Sequence, residues 1–303
     1  MLQIIKRRNI SFTFSAILFV GSLVLIGIFG LKPGVDFTGG SLFEFSFSEN
    51  RPSIEEVKEV VNSIETELGS FSVQPVDEDS HLIKTRFTTE DEHQEILTAV
   101  RLAFETDSQR VLEERVETIG PAISSQLRRQ SIGIAIAVMI AIVLYVGYAF
   151  RKVSRPVKSW KYGITAIIAL VHDVVIVMGV YAVLGYVAGV EVDIPFVVAL
   201  LTILGYSVND TIVVFDRVRE NLLTQSGRFE DSVNQGVNDS LTRSINTSVT
   251  TLIVLLALFL FGAVSVKYFS LALIIGIIAG TYSSIFLASP LLIVWKNWGE
   301  RKK

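Results

Sequence analysis

The chain has 303 residues, half of them hydrophobic, with a mean hydropathy of +0.51, which excludes an ordinary soluble domain of this size. Its formal charge of −3 hides an uneven distribution: from Leu31 to Gln130 there are 20 acidic and 10 basic residues, and the remainder holds 10 acidic and 17 basic. There are no cysteines, which excludes disulfides, thiolate metal sites and a cysteine nucleophile.

In chain order, the basic stub MLQIIKRRNI precedes an apolar run from Ile10 to Leu31. That run is too long for the core of a signal peptide, and LKPG is no small-residue cleavage site, so it reads as a retained first span. A helix needs roughly 20 mostly apolar residues to cross about 30 Å of hydrocarbon. Six segments qualify: Ile10–Gly30, Ser131–Phe150, Tyr162–Val187, Ile194–Phe215, Ile245–Val264 and Tyr268–Val294. AGVEVD separates the third from the fourth and SVK the fifth from the sixth, so each pair forms a helical hairpin.

Basic residues near span ends set the orientation. Lys6, Arg7 and Arg8, then Arg151, Lys152, Arg155, Lys158 and Lys161, then Arg217, Arg219, Arg228 and Arg243, then Lys296, Arg301, Lys302 and Lys303 all fall on one side of a six-span arrangement. That side is predicted to be cytoplasmic and holds both termini. Arg128 and Arg129 run against the rule, from which long translocated domains are largely exempt.

Leu31–Gln130 is the one sizeable extramembrane piece, predicted on the far side. SLFEFSFS (41–48) alternates as a strand, and SIEEVKEVVNSIETEL (53–68) has a serine cap and apolar residues at helical spacing. FSVQPV and HLIKTRF read as strands joined by the turn DEDS. TEDEHQEILTAVRLAF is a second amphipathic helix and VLEERVETIG a last strand. The order β-α-β-β-α-β predicts an α+β ferredoxin-like sandwich. His81 and His93 sit among surface-type residues, with no partner at ligand spacing, and no metal or other cofactor is expected.

The fourth span, TILGYSVNDTIVVFDR (202–217), places Asn209 and Asp210 inside an apolar helix. A charge at the bilayer centre costs roughly 2.5–3.5 kcal/mol even on the insertion scale, so such a residue faces a bundle interior or a wet cavity. Thr202, Tyr206, Asn209/Asp210 and Asp216/Arg217 recur at helical spacing. Thr165, Ala169 and His172 share a face of the third span, with Asp173 adjacent; the fifth opens with Arg243, Asn246/Thr247 and Thr250/Thr251. One polar cluster shared by spans three, four and five is the expectation, with Asp210 at its centre. The G-x-x-x-G of Gly276–Gly280 reads as a packing motif. A carboxylate whose distance to a guanidinium or to water changes with conformation can load and release a proton. One charge crossing the full field is worth about 2.3 kcal/mol per 100 mV, so coupling to a proton gradient is predicted.

KPGVDFTGGSLFEF, HDVVIVMGVY, GYSVNDTIVVFDRVREN and DSLTRSINTSVTTL resemble, in order and across nearly the whole chain, the SecF branch of the SecD/SecF protein-export family. That family belongs to the resistance-nodulation-division superfamily, whose members use six-span halves with a domain after the first span. The resemblance implies a membrane all-α six-helix bundle, half of a twelve-helix unit completed by SecD, with the inserted domain periplasmic. It implies association with the SecYEG channel, and with YajC and YidC. The implied work is export of preproteins across the bacterial cytoplasmic membrane, driven by the proton motive force after the SecA step, and not an enzymatic reaction. It maps the family's proton pathway onto Asp210 and Arg243, with His172, Asp173, Asn209 and Asp216 as secondary candidates. Gly34, Asp36, Phe37, Gly39 and Gly40 carry the family signature. The large moving head of the family belongs mainly to SecD, so the inserted domain here is expected to be a base or docking piece, and the chain a separate subunit. Two rival readings are weaker. An intramembrane aspartyl protease would use Asp173 and Asp210, but YSVND lacks the G-x-G-D pattern, and a lipid or drug exporter needs a larger porter domain. No nucleotide-binding loop occurs.

Overall fold

The structure is a computed structural model that describes residues 2–64, 68–69, 71–76, 79–151, 157–224 and 227–300. Lys152, Arg155, Arg301, Lys302 and Lys303 of the predicted basic segments lie outside the described residues, as do Asp77 and Glu78 of the predicted turn and 65–67 of the predicted helix. The chain forms two compact units, Pro33–Ser131, and Met1–Lys32 together with Ile132–Lys303.

The smaller unit opens on the signature. Gly34 caps a single-turn helix α2 (Val35–Thr38), and the Thr38 hydroxyl donates to the Gly34 carbonyl at 3.0 Å. Gly39 and Gly40 then turn the chain at φ 75° and 135°, values open only to glycine without strain. Strand β1 (Gly40–Phe47) follows directly, and a side chain at Gly40 would stand 2.6 Å from the Thr85 carbonyl oxygen. Next come helix α3 (Ile54–Asn62), strands β2 (Ser72–Val76) and β3 (Ser80–Thr85), helix α4 (Glu90–Phe104) and strand β4 (Val111–Ile119). The sheet order is β2-β3-β1-β4, antiparallel throughout, with a bulge at Glu44/Phe45 opposite β4.

Alternation in β1 turns Phe43, Phe45 and Phe47 into one core with Val57 and Val61 of α3 and Ile96, Leu97 and Val100 of α4. Each phenylalanine so buried contributes about 1.5–3 kcal/mol. Both helices start in capping boxes, Ser53 with Glu56 and Thr89 with Glu92. The Arg86 guanidinium, 2.6 Å from Glu92, together with the Thr89 amide, holds the Glu92 carboxyl down at about 2.

Two expectations are corrected here. Helix α3 ends at Asn62, short of the predicted Leu68. His81 and His93 are buried, not surface residues. Nε2 of His81 bonds the Pro52 carbonyl at 2.7 Å, and His93 lies between Glu113 (2.5 Å) and Glu90 (3.3 Å) while stacking on Phe43. The polar neighbours that made His93 look superficial are its burial partners.

Among the described residues, six helices are long and apolar enough to cross a membrane. They are α1 (Arg8–Phe29), α5 (Pro121–Ala149), α6 (Ser159–Ala188), α7 (Ile194–Thr224), α8 (Phe229–Phe261), and a sixth made of α9 (Val264–Ser283), a π-helical turn (Ser284–Ala288) and α10 (Ser289–Glu300). Gly30 and Gly189, at positive φ, close α1 and α6.

Three helices outrun their predicted apolar segments by about nine residues or more at one end. Helix α5 begins at Pro121 instead of Ser131, α7 runs to Thr224 instead of Phe215, and α8 begins at Phe229 instead of Ile245. The extensions of α7 and α8 are amphipathic and pack on one another: Asn221 donates to Asp239 at 3.0 Å, and Gly236 abuts the Val218 backbone. Hydropathy does not register such extensions, because their stability comes from one packed face. At this basic end Phe150, Tyr162 and Phe215 form a buried aromatic cluster. The chain's three tryptophans, Trp160, Trp295 and Trp298, gather there round the Lys161 ammonium, as indoles do at a membrane–water boundary.

Candidate functional site

Helix α7 is brought close to α9 by the two glycines of the G-x-x-x-G motif. A side chain at Gly276 would collide with Ile203, and one at Gly280 would stand 2.9 Å from the Ser207 Cβ. Small residues let the two backbones approach, and short hydroxyls then reach across. The Ser207 hydroxyl donates to Oδ2 of Asp173 on α6 at 2.7 Å, and Ser283 at the end of α9 donates to the same oxygen at 2.7 Å. The other oxygen, Oδ1, meets Nδ1 of His172 at 3.0 Å. Asp173 is 0% exposed and His172 3%. The imidazole stacks with the rings of Phe19 on α1 and Tyr282 on α9, and its Nε2 has no hydrogen-bond partner among the described residues.

One turn further along α7, Asp210 is 8% exposed and turned into the bundle. Ser244 of α8 donates to Oδ1 at 2.5 Å and Ser284, the first residue of the π turn, donates to Oδ2. The extra residue in each π-helical loop leaves backbone groups off the α-helical ladder, and the Ser289 hydroxyl takes up the Ser284 carbonyl at 2.9 Å. Towards the opposite end a third hydroxyl group joins the same helices: Tyr206 to Ser248 at 3.3 Å and Ser248 to Thr281 at 2.5 Å. Arg243 precedes Ser244, is exposed, and makes no ion pair with Asp210.

The structure therefore gathers Asp210, Asp173 and His172 with a ladder of serines, and leaves other predicted residues outside. Asn209 is exposed on α7, and Asp216 is exposed and paired with Arg219 at 3.2 Å. Thr165 is buried elsewhere, accepting from Trp295 Nε1 at 3.0 Å. On α8 the buried polar face is Ser240, Ser244 and Ser248, whereas Asn246, Thr247 and Thr250 are exposed. The expected cluster of spans three, four and five thus lacks its most heavily used contributor, the sixth span. Sequence reasoning passed over Ser207 and read the serines of spans five and six, Ser244, Ser283 and Ser284 among them, as packing groups. The signal was present: serines at i+4 spacing through 240, 244 and 248, and Ser283, Ser284 and Ser289 inside an otherwise apolar span. Of the signature, Gly34, Asp36, Phe37, Gly39 and Gly40 all lie in or beside the α2–β1 turn of the smaller unit.

Residues 99–298 match the family "Protein export membrane protein SecD/SecF, C-terminal", and residues 24–50 match the "SecD/SecF GG Motif". The chain is 39% identical to the protein translocase subunit SecF of Thermobaculum terrenum, over 98% of this chain and 95% of that one. It is 35% identical to SecF of Haemophilus influenzae, over 94% of this chain and 83% of the relative. The crystal structure of SecDF, a translocon-associated membrane protein from Thermus thermophilus, superimposes with a TM-score of 0.81 at 32% identity. That match covers 97% of this chain and 38% of the SecDF chain. Six helices long and apolar enough to cross a membrane among the described residues, together with these SecF relatives, make the chain a multi-pass membrane protein of the protein-translocation class. The chain belongs to the SecD/SecF family, as one of its SecF subunits.

Proposed function

We propose that the chain pairs with SecD to complete a twelve-helix unit and uses the proton motive force to draw preproteins across the cytoplasmic membrane after the SecA-driven step. The supporting observation is Asp210: a carboxylate inside an apolar span, turned into the bundle and held by hydroxyls from two other helices. Hydroxyls satisfy a carboxylate or a carboxylic acid, so proton exchange there need not strand a buried polar group. Arg243, at the next position to a ligand of Asp210, is the natural counter-charge when the bundle rearranges. On this reading the protein performs conformational work and no bond chemistry. Asp173 and Asp210 are held by different serines, an arrangement that favours two separate sites over a protease dyad sharing one water.

The grouping of basic residues at one end supports an inner-membrane orientation with both termini cytoplasmic and the Pro33–Ser131 unit periplasmic. Its order β2-β3-β1-β4 with two helices on one face supports a ferredoxin-like sandwich, serving as a base or docking piece. Association with SecYEG, and with YajC and YidC, follows from the same assignment. Co-purification in mild detergent tests it: recovery with a second six-span protein and the export channel supports the reading, whereas an Asp210-dependent cleavage of membrane substrates would replace it with proteolysis.

A further inference from the structure

We propose that Asp173 is a second proton-binding site of the bundle, coupled to Asp210 through the adjacent serines Ser283 and Ser284 where α9 passes into the π turn. The inference rests on the reading of the bundle as proton-coupled and adds a site to it. Asp173 is wholly buried in a membrane span, yet no lysine or arginine pairs with it among the described residues. The titratable groups around it are few. His172 neighbours it on α6. Tyr282 stacks on His172, with its hydroxyl held by Ser15 and by the Ser11 carbonyl, both at 3.1 Å. Asp210 lies one turn past Ser207 on α7, with Arg243 beyond it on α8. Helix α1 presents Phe19 and carries no charge between Asn9 and Phe29, and Lys296 of α10 is paired with Glu230 at the basic end.

The hydrogen bonds say where a proton is accepted. Nδ1 of His172 is bonded to Asp173 Oδ1, while Nε2 is buried and has no hydrogen-bond partner among the described residues. The bond from the His172 ring orients the carboxylate. Oδ2 has the opposite character. Its donor Ser283 has a second acceptor, the Gly280 carbonyl at 3.2 Å. When Oδ2 gains a proton, the Ser283 hydroxyl hydrogen turns to Gly280 and its oxygen accepts the new O–H; no buried group is left unpaired. Ser284 has the same choice between Asp210 and the Thr281 carbonyl at 3.1 Å. The two serines are consecutive, and they flank the junction where the helical ladder changes from α to π. Hydroxyl reorientation at one therefore bears on the other, and a shift of the π turn changes both carboxylates together.

The test is pH-difference infrared spectroscopy of the full chain, co-purified with its SecD partner in lipid nanodiscs, reading the carboxylic acid C=O band. The expected result is that Asp173→Asn removes one component and Asp210→Asn another, each substitution shifting the titration of the remaining component. Ser283→Ala should displace the Asp173 component more than the Asp210 component. Spectra of Asp173→Asn identical to wild type would overturn the proposal. If that variant fails to assemble, Ser283→Ala decides: a C=O band identical to wild type throughout the titration overturns it equally. Gradient-driven transport surviving in Asp210→Asn would remove the transport reading while leaving the infrared result on Asp173 standing on its own.

Discussion

Replacing Gly280 by alanine places a methyl carbon 2.9 Å from the Ser207 Cβ and 3.1 Å from its hydroxyl oxygen. Ordinary carbon–carbon contact is about 3.5–4.0 Å, so α7 and α9 must part by about 0.5–1 Å. Overpacking of this kind costs about 1–3 kcal/mol. The same displacement acts on the Ser207–Asp173 bond, now 2.7 Å, stretching it to the limit of a hydrogen bond. Losing a donor to a buried carboxylate adds about 1–3 kcal/mol, so the total destabilisation is about 2–6 kcal/mol. Gly205 supplies the control. It lies on the same α7, and a methyl there meets nothing within 4 Å, so Gly205→Ala should be neutral or stabilise by up to about 1 kcal/mol. Thermal unfolding followed by size-exclusion fluorescence in detergent measures both. Gly280→Ala should melt well below wild type and Gly205→Ala at or above it. Equal melting temperatures for the two variants would refute the close-packed α7–α9 seam as the support of the acidic site.

Further expectations concern the smaller unit. Glu92 has its carboxyl held near 2 by Arg86 and the Thr89 amide, below its ordinary value of 4.5. The stability this confers is present above pH 4.5 and is lost as pH falls through about 2. Amide exchange at the start of α4, followed down that range, should accelerate in wild type and show a smaller change in Glu92→Gln. Thr89→Ala should cost about 1 kcal/mol through loss of the cap, read as a lowered denaturation midpoint. Gly40→Ala, at φ 135° and 2.6 Å from the Thr85 carbonyl, should lower the yield of folded protein more than Gly69→Ala, which shares a positive φ (67°) but whose methyl would meet nothing within 4 Å. Limited proteolysis of membranes separates the two.

Much of the architecture was legible because hydropathy and alternation report directly on burial. The six spans, the β-α-β-β-α-β order and the intramembrane carboxylates all follow from period and composition. Helix ends were legible only where a cap marks them, as at Ser53 and Thr89. At Phe229 and Thr224 the helices continue as amphipathic extensions packed on one another, too polar for hydropathy to register. The site was legible in its charges and not in its serines. Asp210 is conspicuous because a charge in lipid is expensive, whereas a serine in a span has several cheap uses, including a bond to its own helix. The closeness of α9 to α7, set by Gly276 and Gly280, lets Ser283 and Ser284 reach the carboxylates in addition to their own helix. His93 misled for the converse reason: glutamates in sequence look like solvent, yet Glu90 and Glu113 close over the ring.

The central claim is that Asp210 exchanges the proton that drives export. Its most direct test is gradient-driven preprotein release from proteoliposomes containing the export channel, SecD and this chain, with Asp210→Asn compared against wild type at matched assembly. The account predicts that imposing a proton gradient accelerates release in wild type and has no effect in Asp210→Asn, although the amide, close in size, still accepts from Ser244 or Ser284. An undiminished response to the gradient in that variant would contradict it.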